Sequence, residues 1–494
     1  MNRRSSVLAL LLAAAPHGVR AQQGAAIDSM ALRGHTWFLS HDLLEGRDTG
    51  SRGAELAARY LAAAAEALGL RGAAGDGSFF QLVPLVEAVI DTVGTRLVVT
   101  DSTGTLTART PADFIPNGGT TATLVDFAGG LAWVGGASDV LAHPERLPPL
   151  RGHVVIMSGV FGADGAAADT LAARGATGAI ELVGDDGVYE LYARSRGPRR
   201  LYVAEPGVRS SFVPALPAVI ARAALVRRLL PSLADDDALA RPFLIPGRRV
   251  QVTIRTRTRS VPGRNVAAIL TGADAARRGE FVAFTAHYDH LGIGSPNARG
   301  DSIYNGFSDN AAGCAMLLAI AQALAVRRPA RSALFLFFTG EERGLLGSDF
   351  FAARPLVPPD SIVGVINLDA GAPPGPPVRW HIAGGDRSSL GQLALDVARQ
   401  QGWDAQTRPP SPNTDYFPFL RIGVPAVFLV PAPGAYGALT ADSSNTLRRR
   451  WDHYHDVADE WAPDFPFSGL VRYADFALRL GLALGAGPRP QMVR

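Results

Sequence analysis

The stretch LFLFFTGEERGLLGS, Leu334 to Ser348, joins a run of apolar residues to two adjacent glutamates, Glu341 and Glu342. The apolar run is typical of a buried strand that ends where the acids begin. Two neighbouring carboxylates repel each other, and burial raises the cost of their charge, so such a pair requires a cation or a proton. The stretch therefore predicts a buried strand that ends at a site of unusual electrostatics.

Strand-like apolar runs alternate with helical patterns around this stretch, from Gly263 onward. The strand-like runs include GRNVAAILTG, FVAFTAHYDH, SIVGVINLDA and VPAVFLVP, and the helical ones include DNAAGCAMLLAIAQALA, LGQLALDVARQQG and a last helix near residues 469–484. Such alternation implies crossover connections. We therefore predict an α/β fold with a mostly parallel, mixed sheet between helices, whose ligands lie at the carboxyl ends of the strands.

The first half of the chain has a different character. Two helices are predicted around a Gly-rich turn at residues 45–53, the second running from Ala54 to Leu68 and stopping at Gly69. From about Thr110 to Gly247, the strand-like runs HVVIMSG and GAIELVG flank a helical pattern, ADTLAARGA. Histidines and acids do not cluster there at ligand spacing. We interpret this region as a smaller inserted α/β domain that shapes access to a site elsewhere.

The bulk numbers describe a globular protein of two or three domains, with 494 residues, 47% of them hydrophobic and 19% charged. No apolar run approaches the roughly 20 residues of a membrane span, so we expect no stable membrane insertion. Residues 1–21 pair two arginines with a short apolar segment and end in Val-Arg-Ala, which is typical of a secretory leader. Its removal takes away three arginines and no acids, so the mature chain is formally neutral. A neutral chain argues against nucleic-acid binding.

The single cysteine, Cys314, cannot form an intramolecular disulfide, so the exported fold must rely on its core. Because no cysteine lies near the leader, the sequence argues against a lipoprotein. We therefore expect a periplasmic or secreted protein.

Candidate ligands follow the predicted strands. His287 ends one strand, and Asp289, two residues on, points the same way in an extended segment, so its carboxylate is expected to bond the ring of His287. Asp309 stands where a helix begins, as an N-cap or a ligand. Asp369 follows another strand, and His455 lies in a polar loop with His453 and Asp459.

Together, the strand ends and loops offer two histidines and three carboxylates without a thiolate: His287, Asp309, Glu342, Asp369 and His455. This donor set suits zinc or a related divalent ion. A single catalytic zinc normally takes three protein ligands, so two ions that share a bridging carboxylate account best for five.

Five segments, in order, resemble the signature segments of the co-catalytic dizinc aminopeptidase family: AHYDHLG, YNGFSDNAAG, FTGEERGLLGS, NLDA and HYHDVADE. That family also holds glutamate carboxypeptidases, glutaminyl cyclases and the catalytically silent transferrin receptors. LLEGRDTGSRG is similar to a segment near the start of many bacterial members, and the insert resembles a protease-associated domain. The implied division is 1–21 signal peptide, 22–110 N-terminal part of the peptidase domain, 111–248 protease-associated domain and 249–494 catalytic domain.

The resemblance also implies roles for single residues. His287 and Asp369 match ligands of one zinc, Glu342 and His455 match ligands of the other, and Asp309 matches the bridging ligand. Glu341 matches the general base and Asp289 the residue that orients the first histidine. Tyr454 is similar to a tyrosine that stabilises the oxyanion in some members. In TDYFPF, Tyr416 replaces a histidine that many members have, so either tyrosine could polarise the carbonyl.

The activity expected from this resemblance is that of an exported aminopeptidase acting on peptide substrates. A water that bridges two cations loses a proton near neutral pH, and Glu341 can take that proton and deliver it to the leaving amine. A glutaminyl cyclase or a carboxypeptidase of the same family is an alternative. A non-catalytic binding protein is another, although it predicts lost ligands, and none is lost here.

Four further features receive structural interpretations. His290 and His453 are interpreted as residues that support the ligands or lie in solvated loops, and Cys314 as a small buried hydrophobe. The run Arg448 to Arg450 is interpreted as a solvated face, although its closeness to His455 leaves an anionic substrate open. No short motif indicates the side-chain specificity or the oligomeric state.

Overall fold

The computed structural model describes residues 26–117, 123–161, 165–196, 199–208, 216–229 and 241–493. The predicted leader, residues 1–21, lies outside these ranges. The helices are α1 (Ser29–Leu39), α2 (Arg52–Ala67), α3 (Ala137–Ala142), α4 (Ala166–Ala173), α5 (Asp186–Arg196), α6 (Ala223–Leu229), α7 (Ala312–Val326), α8 (Leu346–Ala353), α9 (Ser389–Gln400), α10 (Phe417–Arg421), α11 (Ala441–Trp451) and α12 (Ser468–Ala486).

The strands are β1 (Arg71–Gly72), β2 (Phe80–Leu82), β3 (Leu85–Ile90), β4 (Arg96–Asp101), β5 (Gly104–Arg109), β6 (Phe114–Asn117), β7 (Leu124–Gly136), β8 (His153–Ser158), β9 (Gly178–Val183), β10 (Arg199–Val203), β11 (Ala218–Arg222), β12 (Phe243–Val261), β13 (Arg264–Leu270), β14 (Phe281–His287), β15 (Gly292–Ile293), β16 (Ile303–Tyr304), β17 (Ser332–Phe338), β18 (Ile362–Asn367), β19 (Arg379–Ala383), β20 (Asp404–Arg408) and β21 (Ala426–Pro431). Most of them belong to two large sheets.

The first large sheet has the order β1-β13-β17-β14-β18-β21-β19-β20, with β2 beside β13. Its central strands β17, β14, β18 and β21 are parallel, whereas β13 and β19 run antiparallel to their inner neighbours. Every residue of β14, β17 and β18 is buried, as expected for strands covered on both faces. The predicted mixed, mostly parallel sheet is confirmed.

Helices cover both faces of this sheet. One face packs against α1, α2, α7, α9 and α12, and the other against α8 and α10. The helix α7 is buried on nearly all sides because its sequence is apolar all round. With the turn before it, Phe307–Val326 is the one described segment whose length and apolar composition would suffice to cross a membrane, and 83% of its apolar window is buried inside the protein.

The predicted N-terminal helices are present as α1 and α2. Asp28 and Ser51 cap them, each accepting a hydrogen bond from a backbone N–H of the first turn. Gly69, with φ of 77°, follows the end of α2, where a left-handed residue costs least as glycine.

The second large sheet has the order β10-β3-β12-β7-β8-β9-β11-β6, and β4 and β5 extend it beside β12. The predicted strands HVVIMSG and GAIELVG are β8 and β9, and the predicted helix between them is α4. The sheet has its own apolar cores, one of which includes Trp133 and another α3 and α4. It draws on strands from Leu85 to Val261, a wider range than 111–248, and the domain boundaries stay a prediction.

Candidate metal centre and active site

Three neighbouring strands bring the predicted acids and histidine together. β14 ends at His287, β17 ends shortly before Glu341 and Glu342, and β18 ends two residues before Asp369. Because these strands are parallel neighbours, their carboxyl ends meet at one edge of the sheet. Asp309 and His455 reach the same edge from loops.

The first group of side chains consists of His287, Glu341 and Asp369. The Nε2 atom of His287 lies 2.9 Å from Oδ1 of Asp369 and 3.8 Å from Oε2 of Glu341. The donor atoms of the three residues all lie within 4.8 Å of one another. A single cation could therefore contact all three side chains.

The second group consists of His290, Asp309, Glu342 and His455. Oε2 of Glu342 lies 3.2 Å from Nε2 of His455, and Oε1 lies 2.6 Å from Nδ1 of His290. The two adjacent glutamates thus face different groups, as the opposed directions of neighbouring residues at a strand end predict.

Asp309 lies between the two groups. Its Oδ1 atom is 3.1 Å from Nε2 of His287, and its Oδ2 atom is 3.1 Å from Nε2 of His455. The side chain does not cap α7, which begins three residues later. The carboxylate of Asp459 instead accepts hydrogen bonds from the backbone N–H groups of Ser308 and Asp309. This geometry suits a ligand that bridges two cations.

Asp289 is fully buried beside the first group, but its contacts differ from those expected. Nδ1 of His287 lies 3.1 Å from the backbone carbonyl oxygen of Asp289 and 3.8 Å from its carboxylate. The carboxylate accepts hydrogen bonds from the Thr49 hydroxyl at 2.7 Å and from the Glu341 N–H at 3.1 Å. The backbone of Asp289 orients His287, and its side chain holds the glutamate loop.

Asp369 is held by a chain of hydrogen bonds that begins inside the sheet. The Thr285 hydroxyl donates to Asn367 Oδ1 at 2.6 Å, and Asn367 donates to the Thr414 hydroxyl oxygen at 2.9 Å. The Thr414 hydroxyl donates in turn to Asp369. The carboxylate is therefore fixed by partners on β14, β18 and the loop before α10.

Arg47 is a buried guanidinium beneath the site. It donates to backbone carbonyl oxygens of Tyr288 at 2.8 Å, Asn305 at 2.6 Å and Gly306 at 2.9 Å, and also to Leu39. These carbonyls belong to the end of α1, to the loop that follows His287 and to the loop that leads into Asp309. Arg47 therefore connects both ligand-bearing regions to the N-terminal helices. The sequence did not indicate this role, although Arg47 lies in the segment LLEGRDTGSRG.

The electrostatics of the site follow from crowding of acids. Burial raises the pKa of Glu341 well above its usual range, and the charges of Asp369 and Glu342 add to this. Burial opposes the charge of His455, but hydrogen bonds with Asp309 and Glu342 outweigh it and raise the histidine pKa to about 10. His287 has its pKa raised well above the usual value, because the neighbouring carboxylates outweigh burial. The acids thus draw positive charge into the site.

The donor set fits zinc. Imidazole nitrogens and carboxylate oxygens are its usual ligands, and each group supplies at least three. Among the described residues, Nε2 of the buried His290 also has no hydrogen-bond partner. Buried carboxylates in this number are costly without a nearby cation, and no arginine forms an ion pair with the described residues of either group.

A cavity of about 450 Å³ opens above the first group. His287, Asp309, Glu341 and Asp369 contribute its polar floor. Its remaining lining comes from loops and from β21 and α11: Ser308, Ala370, Gly371, Ala372, Pro373, Pro374, Asn413, Thr414, Phe428, Val430, Pro431, Pro433, Tyr436, Arg448, Trp451, Asp452 and Tyr454. All of these residues follow His287 in the chain, so no described residue of the second sheet lines the cavity.

The two candidate tyrosines have different positions. Tyr454 is 68% exposed, lines the cavity and stacks on the His455 ring with centroids 3.9 Å apart. Tyr416 is fully buried, accepts a hydrogen bond from the Ser411 N–H at 2.6 Å and packs against Phe428. Tyr416 is not among the cavity-lining residues, so the expectation that it could polarise a substrate carbonyl is wrong for this geometry. The turn into α10 directs its ring into the core.

His453, Cys314 and His290 also lie in different surroundings. His453 lies in the loop, with Nε2 3.0 Å from the Arg450 carbonyl oxygen. Cys314 is buried, and burial raises its pKa to about 12. His290 is buried within the second group, so a solvated-loop interpretation does not hold for it. The signal that could have found it is its place three residues after His287, in the same strand-end loop.

Residues 265–474 match the sequence profile of Peptidase family M28. A probable zinc metalloprotease of Pyricularia oryzae is 33% identical over 131 residues, which cover 25% of this chain and 25% of the relative. The matched region thus spans about a quarter of that relative's length.

One of the similar solved structures supports the fold. An aminopeptidase from Aneurinibacillus sp. strain AM-1 aligns with a TM-score of 0.55 and 18% identity, covering 94% of this chain and 96% of that one. A Peptidase M28 precursor from Shewanella amazonensis SB2B aligns with a TM-score of 0.46 and 16% identity, covering 94% and 96% of the two chains. The first alignment extends over both large sheets.

Proposed function

Residues 265–474 form a Peptidase family M28 domain, and on this basis we propose that the protein is a zinc-dependent aminopeptidase. It would hydrolyse the first peptide bond of substrates whose N-terminal residue lies in the cavity above His287. The observation that carries this proposal is the pair of donor groups joined by Asp309, with Glu341 on the cavity floor beside them. The aminopeptidase named among the similar structures supports the same reaction class.

We propose two zinc ions per chain. His287 and Asp369 would hold one, Glu342 and His455 the other, and Asp309 would contact both. When bound, such a pair of ions would supply Lewis-acid chemistry that polarises a substrate carbonyl and lowers the pKa of water toward neutrality. His290 lies 2.6 Å from Glu342, so it would either bind the second ion or orient Glu342 by a hydrogen bond.

The protein's own groups complete the reaction. Glu341 accepts the proton of the attacking water and donates it to the leaving amine, as a base that is not needed to hold a cation can do. The Asp289 carboxylate positions Glu341 by accepting a hydrogen bond from the Glu341 backbone N–H at 3.1 Å. The hydroxyl of Tyr454 donates a hydrogen bond to the oxyanion that develops on the substrate.

A substrate panel tests the activity. Aminoacyl-nitroanilides, peptides with a C-terminal glutamate and peptides with an N-terminal glutamine separate aminopeptidase, carboxypeptidase and cyclase chemistry. We expect release of nitroaniline, with metal analysis of the same preparation giving close to two zinc ions per chain. Purified protein that binds no zinc would contradict the proposed site.

Replacing the base tests the mechanism. In Glu341→Gln we expect kcat to fall at least about a thousandfold, because general acid–base catalysis is lost while the ligands remain. Zinc content should stay near that of the wild type. Glu66→Gln, at an exposed position of α2, is the matched control and should keep full activity. Full activity in Glu341→Gln would contradict the assigned role.

We propose further that the protein is exported and that the second sheet is a protease-associated domain. The leader-like residues 1–21 support export, and N-terminal sequencing of protein recovered outside the cytoplasm should begin near residue 22. The insertion of the second sheet ahead of β13 supports the domain assignment. Since none of its described residues lines the cavity, its influence on substrate access would act on the approach to the cavity.

A further inference from the structure

Three consecutive arginines near the end of α11 have different surroundings. Arg449 is exposed and donates to the Thr446 hydroxyl at 3.1 Å. Arg450 is exposed and pairs with Asp464 at 2.7 Å. Arg448 is half-buried and lines the cavity that also exposes His287 and Glu341. Only Arg448 of the three therefore meets the space proposed for the substrate.

The Arg448 guanidinium is held in place before any substrate binds. It donates from Nη2 to the Gly434 carbonyl oxygen at 2.8 Å and from Nη1 to Asn445 Oδ1 at 2.8 Å. It also lies over the Tyr436 ring, 4.2 Å from the centroid. A side chain fixed in this way loses little conformational entropy on binding a ligand, which favours affinity.

The charge of Arg448 has no carboxylate partner within 4.0 Å among the described residues. Asp452, one helical turn later, also lines the cavity but is exposed and forms no ion pair with it. Phe428, Val430 and Pro431 contribute apolar lining to the same cavity. A permanently charged guanidinium in a partly apolar cavity is suited to bind a carboxylate through two parallel hydrogen bonds.

Building on the proposed function, we infer that Arg448 binds a substrate carboxylate within the cavity. A volume of about 450 Å³ is in the range of small-ligand sites and suits a short peptide. The carboxylate would be either the C-terminal group of a di- or tripeptide or an acidic side chain close to the scissile bond. The enzyme would then select short or acidic peptides over long neutral ones.

Binding measurements on a protein that does not turn over test this inference separately from catalysis. Zinc-loaded Glu341→Gln is titrated by calorimetry with Leu-Ala, Leu-Ala-amide and Leu-Glu-amide. We expect the dissociation constant of Leu-Ala-amide to be about tenfold higher than that of the best carboxylate ligand, as for a lost charge-assisted hydrogen bond. Tight binding of Leu-Ala identifies the C-terminal group, and tight binding of Leu-Glu-amide identifies the side chain.

Variants of the arginine run identify the cation. Adding Arg448→Met should equalise the affinities of the carboxylate and amide ligands, whereas Arg449→Met should leave their ratio unchanged. Arg448→Lys should keep part of the preference, because it keeps the charge. Equal affinities before any change at Arg448 would overturn the inference, as would a preference that survives Arg448→Met. Equal losses for all ligands in Arg448→Met would assign Arg448 a structural role instead.

The aminopeptidase assignment and the inference about Arg448 are tested by different measurements, so either can fail without the other. If the carboxylate preference depends on Arg448 but wild-type protein releases no amino acid from Leu-Ala or Leu-nitroanilide, the inference about binding stands and the aminopeptidase assignment falls. If the nitroanilide is cleaved while the three ligands bind alike, the assignment stands and the inference falls.

Discussion

The adjacent carboxylates Glu341 and Glu342 have separate tasks because the end of β17 turns them apart. Glu342 lies between two histidines, His455 at 3.2 Å and His290 at 2.6 Å. Glu341 lies 3.8 Å from His287 and on the cavity floor. One carboxylate is thus placed to hold a cation, and the other to exchange a proton with substrate.

His290 provides a test of the second donor group. We expect His290→Asn to weaken zinc binding about 10- to 100-fold, because Glu342 loses the partner that orients it or the ion loses a ligand. The measurement is competition with a chelator of known affinity, which reports the tighter and the weaker ion separately.

His453→Asn is the matched control, since His453 lies in the His455 loop and contacts the Arg450 carbonyl oxygen. We expect it to leave zinc affinity unchanged. Equal zinc affinities in the two variants would show that His290 plays no part in the site.

Asp415 predicts a pH dependence of stability in protein stripped of zinc. Burial raises its pKa to about 8, and the charges of Asp369 and Asp289 contribute. In the unfolded chain it ionises near pH 4, so between about pH 4 and 8 the folded state binds one more proton than the unfolded state. Stability therefore falls as pH rises through this window, by at most about 1.4 kcal/mol per pH unit from this group.

Asp415→Asn removes that titration. We expect the variant to gain stability relative to chelator-treated wild type as pH increases from 5 to 8, with the difference levelling off above pH 8. Urea unfolding at several pH values measures it, and Asp360→Asn, at an exposed position, serves as the control. A constant stability difference across the range would show that Asp415 does not carry the raised pKa.

At the scale of elements, the site depends on loops that Arg47 joins. Its donors reach Tyr288, Asn305 and Gly306, so the His287 loop and the Asp309 loop share one anchor. The turn that carries Arg47 is itself left-handed at Glu45, Gly46 and Arg47. A Cβ on Gly46 would lie 2.5 Å from the Gly292 carbonyl oxygen, which explains the glycine there.

Arg47→Lys should therefore disturb both stability and metal binding. An ammonium has three donors in a compact head, so it leaves buried carbonyls unpaired, at a cost of about 2–4 kcal/mol. We expect a lower midpoint of thermal unfolding and weaker binding of both zinc ions. Arg52→Lys, five residues later and exposed, should match the wild type in both measurements. Normal zinc affinity in Arg47→Lys would mean that the loops are held by other contacts.

Much of the site could be predicted because it follows strand ends. His287, Glu342 and Asp369 each follow an apolar run, and parallel neighbours bring such positions together whatever the details of packing. The orientation of Tyr416 could not be predicted, because a side chain after a loop faces the cavity or the core depending on how that loop packs. The contacts of Asp289 could not be predicted either, because its partner Thr49 lies 240 residues away in the chain.

At the scale of the whole molecule, the fold of the catalytic half was readable from its local alternation of strands and helices. The extent of the second sheet could not be predicted from the sequence in this way. Its long strand β12 pairs with β3, β4 and β7, and such antiparallel pairing over long separations leaves no local pattern in the sequence. The range predicted for the insert, 111–248, therefore excludes β3, β4 and β5.

The two sheets meet at charged contacts and at an apolar cluster in which Leu85, Leu201 and Val261 pack against Leu346 and Phe350 of α8. Asp48, in the loop after α1, accepts a hydrogen bond from Arg343 at 2.7 Å and pairs with Arg199 of β10. Arg199 also pairs with Glu87 of β3. Arg343 directly follows Glu342, so the second sheet contacts the glutamate loop through Asp48. Apart from that cluster, the main apolar cores of the two sheets are separate.

This separation predicts that removing zinc affects the two sheets unequally. All proposed ligands belong to strands and loops of the first sheet, so a bound ion stabilises that sheet by mass action and leaves the second sheet's cores unchanged. Hydrogen exchange read by mass spectrometry, with and without a chelator, measures the difference. We expect faster exchange after chelation in the loops that follow β14 and β18 and an unchanged rate in β8 and β9, with zinc restoring the original pattern. An equal increase in both sheets would show that they unfold as one cooperative unit.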